Sequence, residues 1–150
     1  MRVLTHQPTM RPFEADDLLV VLNRDGCQVP HETIVQQAAN GPAWTAVIDG
    51  QPVGCGGLVL PWPGIGMCWL VVSDELITYR FWLTRTVGKY LINTIRAYEL
   101  HRVEAVALDE SQRNQDWLEM IGFTREEQGR ARAFLSDRRT VVRYEWVKGA

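Results

Sequence analysis

Between Ala43 and Leu60 the chain reads AWTAVI, then Asp49-Gly50, then QPVGCGGLVL, and this stretch constrains the fold most. Asp-Gly between two β-rich runs is the signature of a type I′ hairpin, because both central residues take positive φ. Gly64 to Ser73 (GIGMCWLVVS) predicts a third, buried strand of the same sheet. Three strands in succession without crossovers are antiparallel. Only then does the period change. Leu83, Val87, Leu91, Ile95 and Tyr98 recur at helical spacing, an apolar stripe within a long helix between Glu75 and Leu100. Arg102 to Asp109 (RVEAVALD) reads as a strand, which closes a βαβ unit with two parallel neighbours.

The flanks follow from local signals. Val3 to Pro12 reads as an extended opening strand. Glu14 to Leu22 reads as a short helix with acidic residues in its first turn and Leu18, Leu19 and Leu22 on one face. Asn23 to Gly26 closes it, and Glu32 to Ala39 is a second helix with Ile34, Val35 and Ala38 inward. Asn40-Gly41-Pro42 and Pro61-Trp62-Pro63-Gly64 read as turns within one domain spanning 1–150. Near the end, Ser111 caps a helix that carries Trp117, Leu118 and Ile121 inward, with Gly122 as its C′ residue and Phe123 beside it. Ala131 to Phe134 and Thr140 to Trp146 flank Ser136-Asp137-Arg138 as a terminal hairpin. The predicted order is β-α-α-β-β-β-α-β-α-β-β, an α/β (α+β) fold around a mixed, mostly antiparallel sheet.

Composition narrows the class of function. Hydrophobic residues are 46% and charged residues 23% of the 150, which is the balance of a globular domain rather than a disordered chain. The net charge of −2 argues against a general nucleic-acid binder. The longest uninterrupted apolar run, Leu18 to Leu22, is far short of a membrane span. Three cysteines (Cys27, Cys55, Cys68) without a repeated spacing, and an N-terminus lacking a signal-like apolar core, lead us to expect free buried thiols in a soluble, cytoplasmic protein.

The element order, the Asp49-Gly50 hairpin, the WLVVS strand entering a long helix, and the ending Trp117-Leu-Glu-Met-Ile-Gly-Phe123 resemble the GNAT superfamily of acyl-CoA-dependent N-acetyltransferases. More narrowly, two features resemble the GNAT-like proteins of tailed bacteriophages, among them a small internal virion protein of podoviruses. These are GCGGLV before a strand ending in Trp69-Leu70, and Trp117-Leu118 just ahead of Gly122-Phe123.

The resemblance implies acetyl-CoA as cofactor and three places where the chemistry is held. The first is a glycine-rich turn, Gln/Arg-x-x-Gly-x-Gly/Ala, whose backbone N–H groups cradle a pyrophosphate at the start of the long helix. Counting back from Arg102 places that turn near Tyr79 to Arg85, where YRFWLTR contains no glycine. Arg80 and Arg85 are then the candidates to meet phosphates, and they are equally what a solvent-facing helix carries. In another register, Arg85-Thr-Val-Gly88-Lys-Tyr90 puts Tyr90 where only Gly or Ala fits. The second place is an Asn, and its position is occupied by Ser111, which an N-cap role also explains. The third is a Tyr acting as general acid, and there the chain has Leu118, which donates no proton. The resemblance also implies that the backbone of Leu70, Val71 and Val72 meets the acyl-pantetheine arm.

Other constellations are weaker. Gly54-Cys-Gly-Gly57 lies inside a strand and opens no helix, so it reads as close packing of the sheet against a helix rather than a phosphate loop. His6, His31 and His101 with the cysteines show no zinc spacing. Cys68 would be a nucleophile only with a basic partner. Arg125, Arg130, Arg132, Arg138, Arg139 and Arg143 make the last third locally basic, either a solvated edge or a docking edge for an acidic or phosphate-bearing partner. Trp62, between two prolines, is expected at the surface.

Two functions of different class remain. One is an N-acyltransferase in which an amine attacks a CoA thioester, with Asp74, Asp109 and Glu110 near strand ends as unranked bases. The other is a GNAT-like protein without chemistry, a virion component or host-protein binder in the host cytoplasm or virion interior, with the missing glycines as the discriminating feature.

Overall fold

Asp49 and Gly50 take φ of 51° and 77°, the left-handed geometry the hairpin turn requires. They join β2 (Ala43–Ile48) to β3 (Gln51–Trp62), and Pro63-Gly64 turns β3 into β4 (Ile65–Val72). The computed structural model describes residues 7–27 and 40–150. Within them β1 (Thr9–Pro12), β5 (Arg102–Leu108), β6 (Thr124–Ala131) and β7 (Val141–Val147) complete a seven-stranded sheet of order β1-β2-β3-β4-β5-β7-β6. Every neighbouring pair is antiparallel except β4 and β5. The fold class and the parallel βαβ unit are as the sequence predicts.

Cross-strand partners share a face, so register assigns the layers. Thr45, Cys55 and Val71 stand opposite one another and face α1 (Asp17–Leu22), where Leu18, Val21, Cys55, Val59, Trp69 and Val71 form one core cluster. Trp44, Gly56 and Leu70 occupy the other face. That face is covered by α2 (Asp74–Ile77), α3 (Arg80–Ala97) and α4 (Gln112–Met120). Leu91 of α3, Leu118 of α4, and Val103, Ala105 and Ala107 of β5 pack together there.

Several boundaries differ from the sequence expectation. The opening strand begins at Thr9, with Gln7 and Pro8 outside it, and the expected strand residues before Gln7 and the expected helix from Glu32 to Ala39 lie outside the described residues. The first helix begins at Asp17, and its buried face is Leu18 and Val21, with Leu19 at 65% exposure. The long helical stretch is two helices, because Ser73 caps α2 and the chain bends at Thr78-Tyr79 before α3 starts. Tyr98 is the C-cap of α3 and half exposed, so the stripe ends at Ile95.

The C-terminus is also rearranged. Its hairpin strand is Thr124–Ala131, and Phe134 lies exposed in the connecting loop. Trp62 is exposed as expected, but as the last residue of β3 rather than in a loop. The end of α4 matches the prediction closely. Gly122 has φ 115°, its N–H reaches Glu119 O at 3.1 Å, and the Phe123 N–H reaches Leu118 O at 3.0 Å. These bonds satisfy carbonyls that the helix end would otherwise strand.

Candidate functional site

Among the described strands, the only parallel pair is also the one that comes apart. Ile65, Gly66 and Met67 of β4 pair with Arg102, Val103 and Glu104 of β5, and pairing stops there. From Cys68 to Val72, β4 keeps β3 on one edge and has no described strand on the other. The gap opens into a cavity of about 270 Å³. Leu70, Val71 and Val72 line it from β4, and Val106, Ala107 and Leu108 from β5. Backbone polar groups of β4 on this edge are therefore available to a ligand.

Glycines keep the β3 floor of this cavity open. A Cβ at Gly56 would lie 2.9 Å from Leu70 Cδ1, and one at Gly54 would lie 2.4 Å from Leu76 Cδ2. The GCGG run is thus in a strand, with Gly54 against α2 as packing requires and Gly56 beneath the slot. Tyr90 closes the β2 side, its ring meeting Trp44 edge-on at 4.9 Å. The α4 side is held by Trp117, whose indole N–H donates to Thr84 Oγ1 at 2.9 Å and ties α4 to α3. The buried Gln115 amide donates to the carbonyls of Leu108 and Asp109, at 3.1 and 3.0 Å, and fixes the end of β5.

The expected site residues divide. Leu70, Val71 and Val72 line the cavity; Arg80, Arg85 and Ser111 do not. Tyr79 to Arg85 is no turn, because Arg80 already begins α3 and the Leu83 N–H reaches Tyr79 O at 2.9 Å. Arg80 and Arg85 are both exposed and lie about 140° apart around the helix axis. Arg80 packs its guanidinium over the Phe81 ring at 5.1 Å. Gly88 is in mid-helix with nothing within 4 Å of a Cβ. Ser111 Oγ accepts the Asn114 N–H at 3.4 Å, the N-cap contact. Leu118 is buried in the core.

The segment that follows β4 has its own bonding. The Asp74 N–H reaches Asp25 O at 2.9 Å, the Leu76 N–H reaches Ser73 Oγ at 3.4 Å, and the Ile77 N–H reaches Ser73 O at 3.2 Å. Asp74 and Glu75 add carboxylates to this turn, and Glu75 pairs with Arg24. A pyrophosphate cradle of free N–H groups does not fit these residues. An acyl-pantetheine arm does fit the slot between β4 and β5.

Polar side chains in the cavity wall are few. Arg113, Asn114 and Arg139 line it together with Tyr90 and the Cys68 thiol, and no described carboxylate does. Asp74, Asp109 and Glu110 lie outside the lining, and Asp109 pairs with Arg130 at 3.2 Å. Burial pushes the Cys68 thiol up to about 12 and the Cys55 thiol up to about 11, so neither is a thiolate near neutrality. The cysteines are free, with Cys55 buried and Cys27 and Cys68 half-buried. No cluster of described His, Cys, Asp and Glu side chains is arranged to hold a metal ion, and no described helix is long and apolar enough to cross a membrane.

The sequence marks Arg139 only as one of six arginines on a basic docking edge, and it passes over Arg113 altogether. Nothing local places either at the cavity, and only the return of β7 beside β5 brings Arg139 to the wall that Arg113 lines.

Solved structures share this architecture. An IAA acetyltransferase from Bacillus cereus superposes with a TM-score of 0.73 at 13% identity, covering 94% of this chain and 99% of its own. A ribosomal-protein-S5-alanine acetyltransferase from Vibrio fischeri gives 0.71 at 13% identity, over 99% of this chain and 96% of its own. A GNAT family acetyltransferase from Elizabethkingia anophelis, solved with acetyl-CoA bound, gives 0.71 at 13% identity, over 93% and 97%. No protein-family model and no curated protein sequence matches the chain. The chain has the GNAT acetyltransferase fold.

Proposed function

We propose that this protein binds an acyl-CoA thioester between β4 and β5 and transfers the acyl group to an amine. The observation that carries this is the splay of β4 from β5 after Met67, with Gly56 keeping the floor of the opening clear. A sheet that served only as a scaffold would gain by closing that gap with ladder hydrogen bonds and side chains. The bound cofactor would supply an activated carbonyl carbon and a thiolate leaving group.

On this reading the β4 edge from Leu70 to Val72 aligns the pantetheine arm and offers backbone N–H groups to the thioester oxygen. The apolar walls, among them Leu83, Val87 and Leu91, exclude water from the slot. The amine nitrogen bonds to the carbonyl carbon, the carbon–sulfur bond breaks, and the amine's surplus proton passes through solvent to the thiolate. Because no described carboxylate lines the cavity, the amine arrives already neutral, and transfer rises with pH as the amine deprotonates. Arg80 stands at the start of α3, at the lip of the slot; Arg85 is turned away from it.

The short acidic helix α2 favours a second reading, in which the fold has shed the chemistry. A carboxylate-bearing turn whose Asp74, Leu76 and Ile77 N–H groups are already bonded is a poor phosphate seat, and Leu118 offers no acid. The chain would then act by binding another protein, as a virion component or a host-protein binder.

Calorimetric titration with acetyl-CoA, then with free CoA, separates the two. Micromolar binding of acetyl-CoA is expected. Absence of heat at millimolar cofactor overturns the transferase reading and leaves the second.

A further inference from the structure

We propose that the phosphate end of the acyl-CoA is held by Arg113 and Arg139, from the α4 side of the cleft, instead of by the turn that opens the long helix. This deepens the transferase reading above and rests on it.

The argument begins with charge. Among the described residues, the only charged side chains that line the cavity are Arg113 and Arg139. An apolar slot whose sole formal charges are two guanidinium groups selects a ligand with an apolar arm and an anionic end. The opposite lip is formed by α2, and it carries Asp74 and Glu75. Phosphates placed there would meet two carboxylates, and the N–H groups of Asp74, Leu76 and Ile77 are already in use; placed on the α4 lip they meet cations.

Topology puts these groups at one opening. β4 and β5 are parallel, so α2 and α3 leave β4 at the same edge of the sheet at which α4 leaves β5. β7 is antiparallel to β5, and Val141 stands opposite Leu108, so the loop that holds Arg139 reaches that edge as well. The Asp109 N–H binds Thr140 O at 3.0 Å, which fixes this loop beside the end of β5. Both α3 and α4 run back from this edge, and they are bonded to each other through Trp117 and Thr84. Arg113 and Arg80 each lie four residues before that bond, one helical turn nearer the opening. The phosphate end therefore enters between an α3 lip with Arg80 and an α4 lip with Arg113 and Arg139.

Both guanidinium groups are available for a ligand. Arg113 is exposed and makes no ion pair or hydrogen bond with a described side chain. Arg139 gives only its Nε, to Asp137 Oδ2 at 2.5 Å. Asp137 Oδ1 accepts the Arg139 N–H at 3.0 Å, and Arg139 O accepts the N–H groups of Phe134 and Leu135 at 3.1 and 3.2 Å. The loop thus holds the backbone of Arg139 in place, and the two terminal nitrogens have no partner among the described residues.

The test compares acetyl-CoA with S-acetylpantetheine, which has the same arm and thioester and no phosphate. Calorimetry on the wild-type protein, the single variant Arg113→Ala and the double variant R113A/R139A is expected to show a graded loss for acetyl-CoA. The double variant should fall by about tenfold or more, since charge-assisted contacts to phosphate are strong. S-acetylpantetheine should bind all three within about twofold of one another. Arg113 has no described internal partner, so its variant tests the proposal without risk to folding. Unchanged acetyl-CoA affinity in the double variant overturns the proposal while leaving the transferase reading intact; the two arginines would then face a carboxylate of the acceptor. Equal wild-type affinity for the two ligands also overturns it. Failure of the wild-type protein to bind either ligand overturns both readings.

Discussion

The Asp17 carboxylate accepts both terminal nitrogens of Arg11, at 2.8 and 2.7 Å, on the sheet face away from the cleft. It also accepts the Thr45 hydroxyl at 2.6 Å and the Glu14 N–H at 2.8 Å. These contacts bind β1, α1 and β2 together at a buried acid.

Arg11 beside Asp17 holds that carboxyl down at about 2, from an ordinary value of 3.8. A group whose pKa is lower folded than unfolded contributes stability above its unfolded pKa and loses it as pH falls through the folded one. The contribution is therefore complete above about pH 5 and disappears between about pH 4 and 2; a shift of this size corresponds to about 2 kcal/mol. Urea denaturation across that range should show a falling limb that Asp17→Asn flattens. The same variant should be about 2–4 kcal/mol less stable at pH 7, because Arg11 then loses its counter-charge. An unchanged acid limb in Asp17→Asn would assign the loss to other carboxylates.

Two glycines of β3 give opposite expectations. At Gly54 an added Cβ meets Leu76, which is 1% exposed and has nowhere to go, so Gly54→Val should destabilise by about 1–3 kcal/mol through overpacking. At Gly56 it meets the tip of Leu70, an exposed side chain that turns aside, and the Trp69 carbonyl at 3.1 Å, which must give by a few tenths of an ångström, so Gly56→Val should cost about 1 kcal/mol. Yet it is Gly56→Val whose branches enter the slot. Thermal melts paired with acetyl-CoA titration should show Gly56→Val as the folded variant that fails to bind. Wild-type affinity in that variant would remove the β3 floor from the binding site.

How far this was legible in the sequence depends on whether a feature was local. Asp49-Gly50 and Gly122 announce their own backbone geometry, because left-handed φ selects those residue types. β6 was missed over Thr124–Arg130 because TREEQGR, on an edge strand exposed along most of its length, has no alternating apolar face to read. The break between α2 and α3 was hidden because Leu76 and Leu83 are both buried and keep the apolar signal running through Thr78-Tyr79. In the candidate site, Leu70 to Val72 could be placed from strand order alone. Arg139 stood out only as one of six arginines in a basic stretch and Arg113 not at all, since their meeting depends on the pairing of β7 with β5, a long-range fact that no window of sequence contains.

Cys68 faces the cleft and invites a test as a nucleophile. Burial alone pushes its thiol up to about 12, so the thiolate is scarce at pH 8. Iodoacetamide at pH 8 is therefore expected to spare Cys68 and Cys55 in the native protein and to modify both after denaturation, as mass spectrometry of the digested chain would read. Cys68→Ala should bind acetyl-CoA as the wild-type protein does. Rapid labelling of native Cys68 would mean that a thiolate forms in the slot.

The bond from Trp117 to Thr84 ties α4 to α3 one helical turn behind the cleft mouth. Thr84 Oγ1 accepts the indole N–H at 2.9 Å while its own proton goes to Arg80 O at 2.8 Å, so the hydroxyl is used in both senses. Thr84→Val keeps the shape and removes the acceptor, stranding a half-buried N–H at a cost of about 1–2 kcal/mol. Thr84→Ser keeps the bond and should restore most of that stability. If the bond also holds Arg80 and Arg113 at their distance across the opening, Thr84→Val should weaken acetyl-CoA more than S-acetylpantetheine. The serine variant should weaken neither. Equal weakening of both ligands by Thr84→Val would place the effect on the slot walls and not on the phosphate-bearing mouth.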